Sequence, residues 1–302
     1  MADITLYQAV DMTHIDAWDG YLAAYDEGHI QFTNGVRTQD YFGHFQYDAS
    51  GLAGGTLTGS TAYINGSTLY AVTNASVPAV QMADRVDNFD GDGALQLVMA
   101  GNDNIVGSAG NDVLYGYTGN DAFNGGGGLD TVHYDGARGN YSVSAAGQGY
   151  VVAATGKQDT LIDVERVSFG DGSVLALDVA AGQNAGSAYR LYQAAFDRTP
   201  DTAGLKFWTE ALDHGATLGQ VAQGFVDSAE FKQLNPGSDP ASLVNAYYQN
   251  VLHRGPDADG ANFWVSAMND GMSAATVLTA FSESAENLAN TSAALDGGLW
   301  LG

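Results

Sequence analysis

Hydrophobic and polar positions follow two familiar periods at the two ends of the chain. In the first hundred residues, "YFGHFQYDA", "GGTLTGSTAYI" and "STLYAVTNA" alternate with the period of two that is typical of half-buried strands. Asn65-Gly66 lies between two of these strands and predicts a two-residue hairpin turn. From about residue 185 the period becomes helical, and one predicted helix, which Thr217 can cap, has an apolar face made of Leu218, Val221, Ala222 and Phe225.

Between these ends the pattern has a period of nine. Four aspartates recur at this spacing, each with a glycine two residues before it and an apolar residue two residues after it. The aspartates are Asp103, Asp112, Asp121 and Asp130, and the apolar residues are Ile105, Leu114, Phe123 and Val132. So much Gly and Asn disfavours a helix. We predict a coil that turns every nine residues, with Gly in its tight turns and the apolar side chain pointing inward from a short strand.

Two nonapeptides would make one full turn of this coil, which stacks Asp103 over Asp121 and Asp112 over Asp130. Rows of like charge repel one another, and a hard divalent cation that takes six or more oxygen ligands removes the repulsion. We therefore predict Ca²⁺ as the cofactor. The predicted ligands are the four aspartates together with turn oxygens, some of them backbone carbonyls, of Gly101, Asn102, Gly107, Ala109, Asn111, Gly116, Thr118 and Asn120.

The segment resembles the RTX nonapeptide repeats of secreted bacterial proteins, whose pattern is Gly-Gly-x-Gly-x-Asp-x-apolar-x. The match is complete at Gly125, Gly126, Gly128 and Asp130, and it is poorer in the first repeat, where Val98 and Met99 replace both leading glycines. The resemblance implies a calcium-loaded parallel β-roll in a protein exported by a type I system. It also implies an uncleaved export signal at the C-terminus, which here reads "LDGGLWLG".

A second acidic stretch, "NFDGDG", places oxygens at alternating positions before a glycine, as EF-hand loops do. Its twelfth position is Met99 rather than Glu, so the bidentate ligand of such a loop is missing. Asn88, Asp90 and Asp92 are therefore weaker candidate ligands, and an ordinary turn is the alternative.

The helical end of the chain contains an internal duplication. "YQAAFDRTPDTAGLKFW" returns 56 residues later as "YQNVLHRGPDADGANFW" without a gap. Pro200 and Pro256 suit the first position of a helix. The adjacent aromatic pairs Phe207-Trp208 and Phe263-Trp264 are predicted to be core residues.

Arg198 and Arg254 hold equivalent places in the two copies. Each either pairs with a nearby acid, such as Asp201 or Glu230 in the first copy, or forms an exposed clamp for a partner. Residues 185 to 290 resemble an uncharacterised helical domain that follows RTX repeats and is similar to phycobilisome linker repeats, which implies an interaction role.

Residues 131 to 179 again alternate like strands, with a hairpin turn predicted near Gly147 to Gly149 and two later strands around Gly170 to Gly172. The predicted fold is multidomain α+β, and the N-terminal part could be a β-sandwich or a β-solenoid. Its four segments are an N-terminal β domain (1–97), the short parallel β-roll (98–135), a β cap (136–181) and an all-α duplicated domain (182–302).

The composition of the chain limits the kinds of partner that it can bind. The chain has 35 acidic and 10 basic residues, a net charge of -25 and no cysteine. Such a charge repels nucleic acids, and no apolar stretch approaches the length of a membrane span. Neither a basic N-terminal signal peptide nor a thiol-based site is expected.

Catalytic motifs are also missing. The chain has no His-Glu-x-x-His or Gly-x-Ser-x-Gly motif, so we expect no enzyme. We expect instead a secreted, extracellular or cell-surface structural protein that folds on calcium and assembles with itself in a surface layer, sheath or filament. A polysaccharide-binding adhesin or matrix lectin is the alternative, and a hydrolase with its site in the N-terminal β domain is the third.

Overall fold

A computed structural model describes all 302 residues, and it is mixed α+β. The chain forms two compact units, residues 1–173 and residues 174–302. None of the ten helices is long and apolar enough to cross a membrane.

The first unit is mostly β. Its strands are β1 (Asp3–Leu6), β2 (Tyr21–Tyr25), β3 (His29–Thr33), β4 (Arg37–Asp48), β5 (Gly51–Ile64), β6 (Ser67–Thr73), β7 (Val77–Pro78), β8 (Asn104–Val106), β9 (Val113–Leu114), β10 (Ala122–Asn124), β11 (Thr131–Tyr134), β12 (Ser142–Ala146), β13 (Gly149–Ala154), β14 (Lys157–Ile162) and β15 (Arg166–Phe169). Its helices are α1 (Ala79–Asp87), α2 (Gly91–Val98) and a short 3-10 helix, Arg138–Asn140. The alternating pattern of the first hundred residues did not reveal α1 and α2.

Twelve of these strands form one sheet, in which the long antiparallel meander β2 to β6 continues into parallel strands. The path runs β12-β13-β14-β10-β8-β1-β6-β5-β4-β3-β2, with β7 added on β5. The predicted hairpins are present: Ile64 pairs with Ser67 around Asn65-Gly66, and Ala146 pairs with Gly149. Asn65 and Gly66 both have positive φ (51° and 79°), as this type of tight turn requires.

The repeats do not stand apart from their neighbours in sequence. Strand β1 pairs in parallel with β8, aligning Ile4 with Ile105, and β10 pairs in parallel with β14, aligning Phe123 with Leu161. The predicted boundaries at residues 97 and 135 therefore do not separate independent bodies. Strands from the N-terminal segment and from the predicted cap extend the same stack, and they pair with the backbone N–H and C=O groups at the edges of the repeat strands.

The second unit consists of eight helices and a short pair of strands. These are β16 (Val174–Ala176), α3 (Asn184–Phe196), α4 (Thr202–Asp213), α5 (Leu218–Asp227), α6 (Ala229–Leu234), α7 (Pro240–Leu252), α8 (Ala258–Asn269), α9 (Ala274–Ser282), α10 (Ala285–Leu295) and β17 (Leu299–Trp300). Helices α3 to α6 correspond to α7 to α10, and each begins 56 residues before its counterpart. The duplication read from the sequence is therefore a duplication of four helices.

The two copies share one core, in which α3 and α5 pack on α9. Thr217 caps α5 as predicted, in a reciprocal capping box with Gln220, and Val221, Ala222 and Phe225 are buried. A fully buried Arg190 on α3 donates from Nε and Nη2 to Glu283, at 2.9 Å each, and from Nη1 to the carbonyl of Val179. These bonds satisfy a charge that burial would otherwise penalise by several kcal/mol.

Two expectations for this unit are wrong in detail. Helix α4 begins at Thr202, so Asp201 is the N-cap and Pro200 precedes it; the same holds for Asp257 and Pro256. The capping carboxylates accept the N–H groups of Gly204 and Gly260 at 2.8 Å, which sets the helix start two residues later than the proline rule implied.

The aromatic pairs are only half buried. Trp208 and Trp264 pack against the core, but Phe207 and Phe263 are 60% and 62% exposed. Adjacent residues on a helix point about 100° apart, so one narrow apolar face cannot hold both members of a pair.

Candidate metal site

Acidic side chains form two rows along the stacked parallel strands. The first row is Asp103, Asp121 and Asp159, and the second row is Asp112, Asp130 and Glu165. In the first row the backbone N–H of Asp103 donates to Asp121 Oδ1 at 3.0 Å, and that of Asp121 donates to Asp159 Oδ1 at 2.8 Å. In the second row Asp112 N–H donates to Asp130 Oδ1 and Asp130 N–H donates to Glu165 Oε2, both at 2.8 Å.

The rows follow from the parallel register. Asn104 aligns with Ala122, and Val113 aligns with Thr131, so each residue lies beside the residue eighteen positions later. Asparagine amides form similar steps: the Oδ1 atoms of Asn102 and Asn111 accept the N–H groups of Asn120 and Leu129, each at 2.9 Å. This is the stacking that a nine-residue half-turn requires.

The carboxylates of the rows are buried, and burial changes their acidity. The four repeat aspartates and Asp159 are between 0% and 3% exposed. Desolvation raises the pKa of Asp121 to about 6, with the nearby Lys157 acting in the opposite direction. Desolvation also raises the pKa of Asp130 to about 7, and the charges of Glu165 and Asp112 add to this rise. A stack of buried carboxylates therefore needs either protons or a cation.

Two carboxylate oxygens in the rows have no hydrogen-bond partner. They are Oδ2 of Asp103 and Oδ2 of Asp130, and both are buried. The Oδ2 atoms of the other two repeat aspartates are occupied: Asp112 Oδ2 accepts the N–H and hydroxyl of Ser108, and Asp121 Oδ2 lies 3.4 Å from Lys157 Nζ. Buried anionic oxygens without a donor fit a cation, so the arrangement suits Ca²⁺ at Asp103 and Asp130.

The turns approach these carboxylates closely. A Cβ atom at Gly116 would overlap Asp121 Oδ2, and one at Gly125 would lie 2.7 Å from Asp130 Oδ2. Nowhere do three or more His, Cys, Asp or Glu side chains converge in a metal-binding group. A calcium ion here would take one or two carboxylates and complete its oxygen shell with turn carbonyls, which is a donor set that this ion accepts.

The predicted ligand residues are thus divided in role. Asn102, Asn111 and Asn120 use their side-chain oxygens to accept backbone N–H groups, and the Thr118 carbonyl accepts the N–H of Gly101. The other predicted ligands, Gly101, Gly107, Ala109 and Gly116, lie in the turns between the short strands. A role of their carbonyl oxygens as calcium ligands stays a prediction.

Sequence reasoning missed Asp159, Glu165 and Lys157. A local signal was present for the first two. "DTL" at residues 159–161 matches "DTV" at residues 130–132, and Glu165 likewise precedes Val167 by two positions. The acid-x-apolar unit continues after the nine-residue period has stopped.

The second acidic stretch has protein partners for each side chain. Asp90 caps α2 by accepting the N–H of Gly93 at 2.9 Å, and its other oxygen lies 2.6 Å from Arg85 Nη1. Asp92 accepts the N–H of Ile15, and Asn88 donates its amide to Asp84. These contacts favour the turn interpretation over a calcium loop.

Arg198 and Arg254 pair with acids of their own copy. Arg198 Nη2 lies 3.0 Å from Glu230 Oε1, and Arg254 Nη2 lies 3.1 Å from Glu286 Oε2. Each guanidinium also lies over a tyrosine ring, Tyr192 or Tyr248. The geometry favours ion pairs that join the turn to the last helix of each copy, and a partner-binding role stays a prediction.

Comparison with known families gives a class for the repeats. Residues 99–132 match the model of the RTX calcium-binding nonapeptide repeat, so the region that carries most of both rows is a calcium-binding motif of this class. Residues 182–235 and 237–291 each match a domain of unknown function (DUF4214), and the two matches coincide with the two four-helix copies. Similarity to phycobilisome linkers stays a prediction.

No curated protein matches the chain. Among solved structures, the chain is similar to the extracellular lipase LipA from Serratia marcescens at 26% identity, covering 23% of this chain and 13% of that chain with a TM-score of 0.15. The chain therefore spans 13% of the length of that lipase.

The raised pKa values predict an unusual pH dependence without calcium. Asp121 and Asp130 have pKa values of about 6 and 7 when folded and an ordinary value of 3.8, so the folded chain binds more protons between these limits. Their contribution to stability is complete below about pH 4 and is lost as the pH rises through 6 to 7. In excess chelator, urea unfolding followed by circular dichroism should show greater stability at pH 5 than at pH 8.

Other carboxyls, such as those of Asp201 and Asp257, have a lowered pKa and titrate below pH 5. They therefore do not change which of the two pH values gives the greater stability. In saturating calcium the same comparison should give a flat or opposite dependence, because the cation replaces the protons. A chelated protein that gains stability from pH 5 to pH 8 would show that the rows do not carry these buried charges.

The close approach of the turn to Asp121 predicts a steric effect. Gly116→Ala should destabilise the first unit by about 1–3 kcal/mol, because the new methyl group overlaps the carboxylate and forces a shift. Gly139→Ala is the matched control, since a Cβ there meets nothing within 4 Å. Thermal unfolding of the two variants in calcium should separate them, and equal midpoints would contradict the packing described here.

Proposed function

We propose that this chain is an exported extracellular structural protein whose repeat region folds as a calcium-loaded parallel β-roll. The observation that carries the proposal is the pair of acidic rows, with Oδ2 of Asp103 and of Asp130 buried and unpartnered. Bound calcium would neutralise the rows and tie successive turns together. The match to a calcium-binding repeat supports this reading, and proteins with this repeat are generally secreted.

Calcium concentration then acts as the folding trigger. Where calcium is scarce, the carboxylates of each row repel one another and the parallel stack is disfavoured. Where calcium is abundant, ligand binding to the folded state alone shifts the equilibrium toward it. Such a chain stays open inside a cell and closes after export, which is why we propose a type I route.

The proposed C-terminal export signal would be read before folding. In the folded protein Leu299 and Trp300 pair with Ala176 and Leu175, and Leu301 is buried. An exporter that recognises this segment would need it unpaired. A low-calcium, unfolded chain meets this condition.

We further propose a non-catalytic role in which the duplicated helical unit mediates self-assembly. Phe207 and Phe263 lie at equivalent positions, each packs edge-on against its own tryptophan, and each leaves most of its ring exposed. Repeated exposed aromatic residues are typical of association surfaces. Because each chain has two such positions, it can contact two neighbouring molecules and extend an assembly.

Exposed Tyr21 and Tyr25 on β2 favour polysaccharide binding as the second candidate function.

Sedimentation velocity in millimolar calcium and in chelator tests the assembly. We expect calcium-loaded protein to form oligomers and the Phe207→Ser, Phe263→Ser double variant to remain monomeric. Leu234→Ser, at another exposed apolar residue, is the control. A wild-type protein that stays monomeric at high concentration would argue against self-assembly, and glycan-array binding of that monomer would favour the second candidate. Recovery of the protein only from the cytoplasm would contradict export.

A further inference from the structure

A lysine lies at the end of the first acidic row, outside the matched repeats. Lys157 is the first residue of β14 and directly follows the hairpin turn from β13. Its side chain is 20% exposed, and its Nζ lies 3.4 Å from Asp121 Oδ2 and 3.3 Å from Asp159 Oδ2. The same nitrogen donates to the carbonyl of Tyr117 at 3.0 Å.

These contacts form an oxygen set that a metal ion would otherwise use. Two carboxylates come from successive turns of one row, and the third oxygen is a carbonyl of a repeat turn. The second row differs at the corresponding aspartate: Asp130 Oδ2 accepts no hydrogen bond, and the charges of Asp112 and Glu165 that act on it are both negative.

We propose that the ammonium group of Lys157 replaces a calcium ion between Asp121 and Asp159. This inference rests on the proposed calcium-loaded roll. One inter-turn position is then held by a cation that belongs to the chain, and the end of the first row closes without metal. The second row retains its need for calcium at Asp130. Lys157 is a positioning residue for the last turn, because the hairpin β13–β14 delivers it to the row.

Calcium stoichiometry of the full chain tests the replacement. Native mass spectrometry and equilibrium dialysis would compare wild type, Lys157→Gln and the control Lys206→Gln, which removes an exposed lysine of the second unit. We expect Lys157→Gln to bind one more calcium ion per chain than wild type and the control to bind the same number. In chelator, Lys157→Gln should lose more β signal than wild type, and calcium should restore it.

Each other outcome counts against the replacement. Equal stoichiometry in wild type and Lys157→Gln, with calcium bound by both, overturns this inference and leaves the proposed function intact. A Lys157→Gln chain that stays unfolded in saturating calcium also overturns it, because calcium should take the vacated position. If wild type binds no calcium, the proposed function fails and the inference fails with it.

A different observation concerns the β meander of the first unit. A cavity of about 400 Å³ lies between strands β2 to β5 and helix α1. Aromatic rings line much of it, from Tyr25, Phe32, Tyr41, Phe45 and Tyr47. Adjoining cavities of about 250 Å³ and 70 Å³ share Tyr41 with it. This volume and lining match small-molecule sites.

The charges at the cavity define what it accepts. Asp48 and Asp87 are its only charged lining residues, and no basic side chain lines it. We infer that the cavity binds an uncharged, apolar small molecule that packs against its aromatic rings. An anionic ligand would meet two carboxylates and no counter-charge.

Two dyes of the same ring skeleton test this site in calcium-loaded protein. N-phenyl-1-naphthylamine is neutral, and 1-anilinonaphthalene-8-sulfonate adds one negative charge. We expect wild type to enhance the fluorescence of the neutral dye alone. Ala83→Trp, which fills the cavity, and Leu22→Asp, at its mouth, should each weaken binding at least tenfold, on the order of 1.4 kcal/mol.

Ala145→Trp on the exposed strand β12 is the control and should bind the dye like wild type. Unchanged binding in both cavity variants would place the dye elsewhere and overturn the inference. Equal binding of the sulfonate dye would overturn the claim that the site selects an uncharged ligand. If Ala83→Trp misfolds by circular dichroism, Leu22→Asp decides, since Leu22 is 48% exposed and tolerates a polar side chain.

Discussion

Excess chelator is expected to lower amide protection strongly in residues 101–132 while the helices between residues 184 and 295 stay protected. The first region contains most of both acidic rows, whose buried carboxylates repel one another without a cation. The helices carry their own shared core and contain no part of the rows. Calcium removal should therefore destabilise the stack and spare the helical unit.

The expected effect is large. Each calcium site stabilises the folded state by about 4 kcal/mol when free calcium is about a thousand times the dissociation constant. Hydrogen-exchange mass spectrometry with and without chelator measures the change peptide by peptide, and magnesium in place of calcium is the control for ionic strength. Full protection of residues 101–132 in chelator would exclude calcium as the folding trigger.

Asp130→Asn is expected to uncouple stability from calcium at the second row. The amide oxygen can still accept the N–H of Asp112, while the buried charge and the unpartnered anionic Oδ2 are lost. In chelator at pH 8 the variant should be more stable than wild type, because an uncompensated buried ion costs several kcal/mol. In calcium it should be less stable, because an amide is a weaker calcium ligand than a carboxylate.

Urea unfolding of wild type and variant in the two conditions gives the four free energies of unfolding that this prediction needs. Asp19→Asn, at an exposed aspartate, is the matched control and should leave the calcium response unchanged. An Asp130→Asn protein with the full wild-type gain from calcium would mean that Asp130 does not hold the ion.

The stack of repeats was predictable because its information is local and periodic. Asp103, Asp112, Asp121 and Asp130 each occupy the same place in a nine-residue unit, and the parallel register repeats every eighteen residues. The same holds for the helical duplication, in which equivalent residues recur without a gap. Residues that recur at a regular spacing occupy equivalent positions in successive units. The repeat stack and the helical duplication could therefore be predicted without knowledge of contacts between distant parts of the chain.

The ends of the stack were not predictable in this way. Residues Asp3–Leu6 join β8 across a hundred intervening residues, and Asp159 and Glu165 continue the rows after an inserted hairpin. No period connects these positions to the repeats. Pairing across such distances depends on which strand edge is left open, and that is settled by the packing of the whole unit.

The neutralisation of the buried carboxylates also depends partly on the sequence pattern and partly on the tertiary structure. Sequence spacing was enough to indicate that carboxylates would lie in rows and would need cations. That Asp121 and Asp159 have Lys157 between them, whereas Asp130 has an oxygen with no partner, depends on where a hairpin turn delivers one side chain. The repeat period determines how many carboxylates lie in each row. The path of the chain between the repeats determines which of these carboxylates are neutralised by a side chain of the protein itself.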